Sequence, residues 1–256
     1  MRNALTTAAA LAAATTAAQA STVITFSEFG LGHGDVVTNQ YAGVGLTVKA
    51  NNASTSASND PAVIFDTTQT GTRDPDLEDP WSGGNIPANT VLGNALIIQE
   101  KNVSPGTPDD EGRRPAGTLV FDFSTPITSI GFDFIDFEGI EASNSWVVTL
   151  DQIVGSSNKR VTIDFTDFTD TASAFYTPGI VFGNNTANTI YPIDIADLQD
   201  LNGGMTHIDK VTVHFGGSGA IDNLTYTQIA PPPSVPTPAA FGAGLAALGI
   251  LAIKRR

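Results

Sequence analysis

Cysteine is absent from all 256 residues, so disulfides, thiolate metal centres and a cysteine nucleophile are excluded. Histidine is almost as scarce: His33, His207 and His214 are scattered, with no H-x-x-x-H or comparable metal spacing. In Val211-Thr212-Val213-His214-Phe215 the alternation sets His214 beside Thr212 on the polar face of a strand. No G-x-S-x-G elbow exists to present a serine nucleophile. Positive charge is the next shortage, with 12 lysines and arginines against 26 aspartates and glutamates. Residues 21–230 hold all 26 acidic residues and only eight of the basic ones, a formal charge of −18. Such a surface disfavours nucleic acid and anionic lipid, and leaves divalent cations, basic surfaces and neutral polymers such as glycans as partners. Helical periodicity is also sparse, and only 194–201 reads as a helical turn.

What the chain has in quantity is period-two alternation of β-branched and aromatic residues. It marks strands at 23–26, 44–48, 62–65, 95–99, 118–123, 130–134, 146–150, 160–165, 210–215 and 220–226, separated by Gly, Pro, Asn and Asp turns. This pattern predicts an all-β domain over 21–230, an antiparallel β-sandwich of jelly-roll type. Asp-Phe pairs recur, as in Phe121-Asp122-Phe123 and Phe132-Asp133-Phe134, with Phe on the buried face and Asp on the solvated one. With no disulfide, the core or bound ions must stabilise the domain, and 210 residues suffice for that.

The two ends have different compositions. Arg2, a small apolar stretch over 4–18 and Ala18-Gln19-Ala20 form a secretory signal peptide, 1–20, with the mature chain starting at Ser21. Residues 231–238 are a Pro-rich linker ending in Val235-Pro236-Thr237-Pro238, followed over 239–256 by an apolar helix and Lys254-Arg255-Arg256. As a helix the 15 apolar residues 239–253 reach only ~22 Å, short of a hydrocarbon core of roughly 30 Å. Such a segment stalls in the inner membrane, its basic end held in the cytoplasm. These residues, with the signal peptide, resemble the PEP-CTERM exported proteins of Gram-negative bacteria, whose Pro-Glu-Pro stands here as Pro236-Thr237-Pro238. The resemblance implies transient membrane insertion, cleavage by an exosortase-type processing protease, and release to the cell surface or extracellular matrix.

Two long loops, 66–94 and 101–117, carry the candidate ligands. Clustered carboxylates in turn-rich loops suit calcium, which takes several oxygen donors: Asp74 and Asp76 with Glu78 and Asp79 in the first loop, Asp109 and Asp110 with Glu111 in the second. An EF-hand is excluded, because Asp79 stands where its Gly belongs and Asn85 where its bidentate Glu belongs. Phe26-Ser27-Glu28-Phe29 and Ser218-Gly219-Ala220-Ile221-Asp222-Asn223-Leu224 resemble the terminal strands of carbohydrate-binding jelly rolls and MAM-type sandwiches. That resemblance implies Glu28 and Asp222 as ligands of a structural cation, with Asp35 beside them. For sugar stacking Trp81, Trp146, Tyr41, Tyr176 and Tyr191 are available, of which Trp146 falls in a strand and Trp81, in the acidic loop, is the predicted ligand contact. The sequence therefore reads as a non-enzymatic exported surface or matrix protein that binds glycan with structural calcium. The alternative is a secreted polysaccharide hydrolase using paired carboxylates among Asp133, Asp136, Glu138 and Glu141.

Overall fold

The computed structural model describes residues 21–55, 60–137, 146–199, 201 and 204–229. The signal segment, the Pro-rich linker and the apolar tail lie outside the described residues, as do Glu138 and Glu141. Among the described residues no helix is long and apolar enough to cross a membrane.

The fold is all-β and its strand ladders are antiparallel, the arrangement of a β-sandwich. Its spine is β6 (Gly117–Ile135), which joins two strands that the sequence places apart at 118–123 and 130–134. The intervening Pro126 has no N–H to donate, yet its carbonyl accepts from Ile229 N–H, so it is tolerated where the ladder changes partners. The first half of β6 pairs with β3 (Leu46–Asn52) and β11 (Ile208–Phe215). The second half pairs with β12 (Ala220–Gln228), β9 (Ala187–Thr189) and β10 (Ile193–Asp194). Beyond β11 come β7 (Val147–Val154) and β8 (Ser157–Asp164), joined by a two-residue turn in which Gly155 takes φ 61°. Beyond β12 come β5 (Asn94–Ile98), β4 (Ala62–Asp66) and β2 (Val36–Val37), while β1 (Ser21–Ile24) extends the same edge of β12. The expected helical turn is present as α1 (Ile195–Leu198).

The main core lies between these layers. Leu119, Phe121, Val211, Val213, Val148 and Leu150 belong to one buried cluster with Ile64, Leu96, Ile98, Phe132, Phe134 and Ile221. One end is closed by an aromatic group in which Phe137 stacks on Phe165 at 4.4 Å and meets Trp146, a core residue as its strand position implied. The opposite faces of β4 and β5 are buried too: Val63, Phe65, Ala95 and Ile97 join Ile135, Ala187 and Ala220 in a second core. Strands covered on both sides lose their alternation, which is why 62–65 and 95–98 read as continuous apolar runs. The cover is the long loop 66–93, which contributes Leu77, Trp81 and Ile86.

Candidate functional site

The loop 66–93 is fixed to the sheet along its length. Asn85 accepts from Thr189 N–H at 2.7 Å and donates to the Thr189 carbonyl at 2.9 Å. Gly84, at φ 109°, lies so close to the Ala187 carbonyl that a Cβ there would collide with it. Trp81 is only 3 % exposed, and its indole N–H donates to the Thr90 carbonyl at 2.9 Å. Its ring is spent on the second core and presents no face for a sugar.

Where this loop meets the sheet, acidic residues collect in a seam. Asp74, Asp110 and Asp136 are all buried. Asp136 accepts from Asn185 N–H at 2.8 Å and from the Ser218 hydroxyl at 3.0 Å, and Asp110 accepts from Gly219 N–H. The Asn185 side chain donates onward to the carbonyls of Glu78 and Asp76, so sheet and loop are stitched together here. Burial, and then the facing Asp74 carboxylate, push Asp110 well above the usual carboxylate range. Burial likewise raises Asp74, which shares a hydrogen bond with Asp110, and lifts Asp136 to about 7. The two carboxyls of Asp74 and Asp110 thus hold on to protons more tightly than free carboxylates do, and a proton on one serves the hydrogen bond between them. Asp109 turns outward to Arg73 at 2.8 Å, Asp76 is half-buried, and Glu111 turns away to accept from Asn52 at 2.6 Å. The two loops thus approach each other as the sequence suggested, but through Asp74 and Asp110, with Asp136 added from the end of β6.

Glu28 and Asp222 lie within electrostatic reach of each other. Glu28 accepts from the Thr25 N–H and hydroxyl and from the Tyr41 hydroxyl; burial opposes its ionisation, but these bonds hold its carboxyl below the ordinary range. Asp222 is fully buried opposite Asp133 in the β12–β6 ladder. Burial first, then the charges of Asp133 and Glu28, push it up to about 8, against the Asn223 N–H that it accepts. Asp35 is exposed and caps its own turn by accepting from Gly32 N–H. One oxygen each of Asp74 and Asp222 is buried without a hydrogen-bond partner among the described residues. Among those residues no group of three or more His, Asp or Glu side chains has an arrangement to hold a metal ion.

Of the carboxylates weighed for hydrolysis, the two within the described residues are Asp133, which accepts from Thr189 and Asn223, and Asp136, which accepts from Asn185 and Ser218. Asp133 borders an open concavity of about 230 Å³, whose rim carries Tyr191. Tyr191 is 59 % exposed, while the other aromatics weighed for stacking are buried or half-buried. Sequence alone gave Tyr191 no precedence, because its exposure depends on Ile190 and Ile193 turning into the core beside it. Two further open concavities, of about 530 and 350 Å³, lie along Val36–Asn39 with β3, and between His33, Thr72 and Thr107.

No protein-family model matches the chain, and no curated protein matches it. A solved catalytic domain of a GH87 alpha-1,3-glucanase, in complex with tetrasaccharides, is similar over 76 % of this chain and 30 % of its own, with 11 % identity and a TM-score of 0.26. The chain thus spans less than a third of the length of that structure.

Proposed function

We propose that this protein is an exported, non-enzymatic β-sandwich of jelly-roll type that binds polysaccharide at the surface or in the extracellular matrix of a Gram-negative bacterium. The observation that carries this reading is the open concavity beside Asp133, with an exposed tyrosine at its rim and carboxylate, amide and hydroxyl groups in its wall. Exposed aromatic faces suit the apolar side of a sugar ring, and such polar groups suit its hydroxyls. The net negative charge favours a neutral polymer, and the two chain ends supply the route: a signal peptide, transient inner-membrane insertion and processing by an exosortase-type protease.

Calcium belongs to the proposal as an occupant that offsets the buried carboxylate charge. Asp74 with Asp110, and Glu28 with Asp222, would each supply two carboxylates, completed by backbone carbonyls and water. The fit rests on the unpartnered buried oxygens of Asp74 and Asp222, since a buried polar atom ordinarily has a partner. Glycan-array binding of the exported chain tests the first part, and no bound glycan overturns it. Release of sugar from matrix polymer, abolished by Asp133→Asn, would replace it with the hydrolase reading. Thermal melting at pH 8 with calcium and then chelator tests the second part. An unchanged melting temperature removes calcium from the proposal.

A further inference from the structure

The structure assigns the recognition of a neutral sugar, through a pair of adjacent hydroxyls, to Asp133, Thr189, Tyr191 and Asn223. This rests on the polysaccharide-binding reading above and locates it.

The four residues come from different elements and are each held in place. Asp133 lies in β6, 5 % exposed, with the Thr189 hydroxyl donating to Oδ1 at 2.5 Å and the Asn223 amide donating to Oδ2 at 2.7 Å. These two bonds fix the carboxylate and leave it further lone pairs toward the concavity. Thr189 ends β9, and its backbone is clamped on both sides by Asn85 of the covering loop. Asn223 sits at a break in the β12–β6 register with φ 47°, a left-handed conformation that asparagine tolerates better than most residues. The bulge aims its side chain across the ladder at Asp133 instead of alternating past it.

The chemistry of the wall selects the ligand. A fixed carboxylate accepts from one hydroxyl while the neighbouring Asn223 amide and Thr189 hydroxyl serve the next, and the exposed Tyr191 ring offers a face to the C–H side of the sugar. Tyr191 is itself anchored, its N–H donating to the Thr177 hydroxyl at 3.0 Å, and Pro192 behind it packs on Gly131, so the ring needs little ordering on binding. A uronate would bring a second negative charge beside Asp133, in a domain already strongly acidic. The site therefore takes neutral hexoses and rejects uronates.

The test is affinity electrophoresis and calorimetry of the full chain with neutral glucans, mannans and galactans, and with a uronate polymer. The expected result is binding to at least one neutral glycan and none to the uronate. Tyr191→Ala lowers that affinity at least tenfold at unchanged melting temperature, and Tyr191→Trp restores it. Asp133→Asn lowers it similarly; should that variant not fold, the Tyr191 pair still decides. Neutral-glycan binding unchanged in Tyr191→Ala overturns this site and leaves the polysaccharide reading standing. Preference for the uronate overturns the charge argument and with it the assignment. No glycan binding by the unsubstituted chain overturns both.

Discussion

Replacing Trp81 by alanine separates two roles that the sequence could not distinguish, ligand contact and cover of the sheet. The indole is 3 % exposed among Leu77, Ile86, Val63 and Phe65, so its removal leaves a cavity in the second core. Truncating a buried aromatic to alanine costs about 3–5 kcal/mol, and the Thr90 carbonyl loses the N–H that it accepts, about 1 kcal/mol more where no water replaces it. With a urea dependence of ~3 kcal/mol per molar, about 4 kcal/mol lowers the unfolding midpoint by roughly 1.3 M. Trp81→Phe keeps most of the apolar volume and loses the hydrogen bond, so it costs about 1–2 kcal/mol. Equilibrium urea unfolding, followed by far-ultraviolet circular dichroism, reads both. Glycan affinity per folded molecule stays within twofold, since the indole has no open face. A midpoint unmoved by Trp81→Ala, or affinity lost at constant stability, would refute the assignment of loop 66–93 as a packed cover.

Other consequences concern protons, charge and backbone. Asp136 at about 7 and Asp222 at about 8 both bind protons more tightly folded than unfolded, so stability falls as pH rises from about 4 to 8. Each group contributes up to ~1.4 kcal/mol per pH unit within its window; Asp136→Asn keeps an acceptor for Asn185 N–H and makes the decline shallower, and a melting temperature flat across this range would contradict the burial of these carboxyls. Asp151, fully buried in β7 between β8 and β11, is held by Arg160 at 2.7 and 3.0 Å and by Lys210 at 3.4 Å. Arg160→Ala should cost about 1.5–3 kcal/mol in urea unfolding, limited by the remaining Lys210, and a change under about 0.5 kcal/mol would show the pair to be solvent-screened. Gly84→Ala forces a Cβ onto the Ala187 carbonyl at a positive φ, so a loss of about 2–3 kcal/mol and faster proteolysis within 66–93 are expected; an unchanged cleavage pattern would mean that the contact does not hold the loop.

The sequence alone determined the class of fold, because alternation with period two is a local property of strands and survives in most of the predicted strand segments of this chain. It also determined the acidity, the absence of thiol chemistry and the distinct character of the two ends. It misplaced the break inside β6, since a proline between two apolar runs reads as a turn unless the change of partners around it is known. It grouped Glu28 with Asp222 and the 74–76 loop with Asp109–Asp110; Asp74 bonds Asp110 and the charge of Glu28 reaches Asp222, but the direction of each carboxyl depends on backbone donors far along the chain, such as Gly219 for Asp110. Tertiary structure alone decided which aromatic faces water. Trp81 is withdrawn because β4 and β5 need a cover on their outer face, and Tyr191 is left out because its neighbours Ile190 and Ile193 fill the main core. Exposure is a property of what packs on a residue from elsewhere, and no local pattern encodes it.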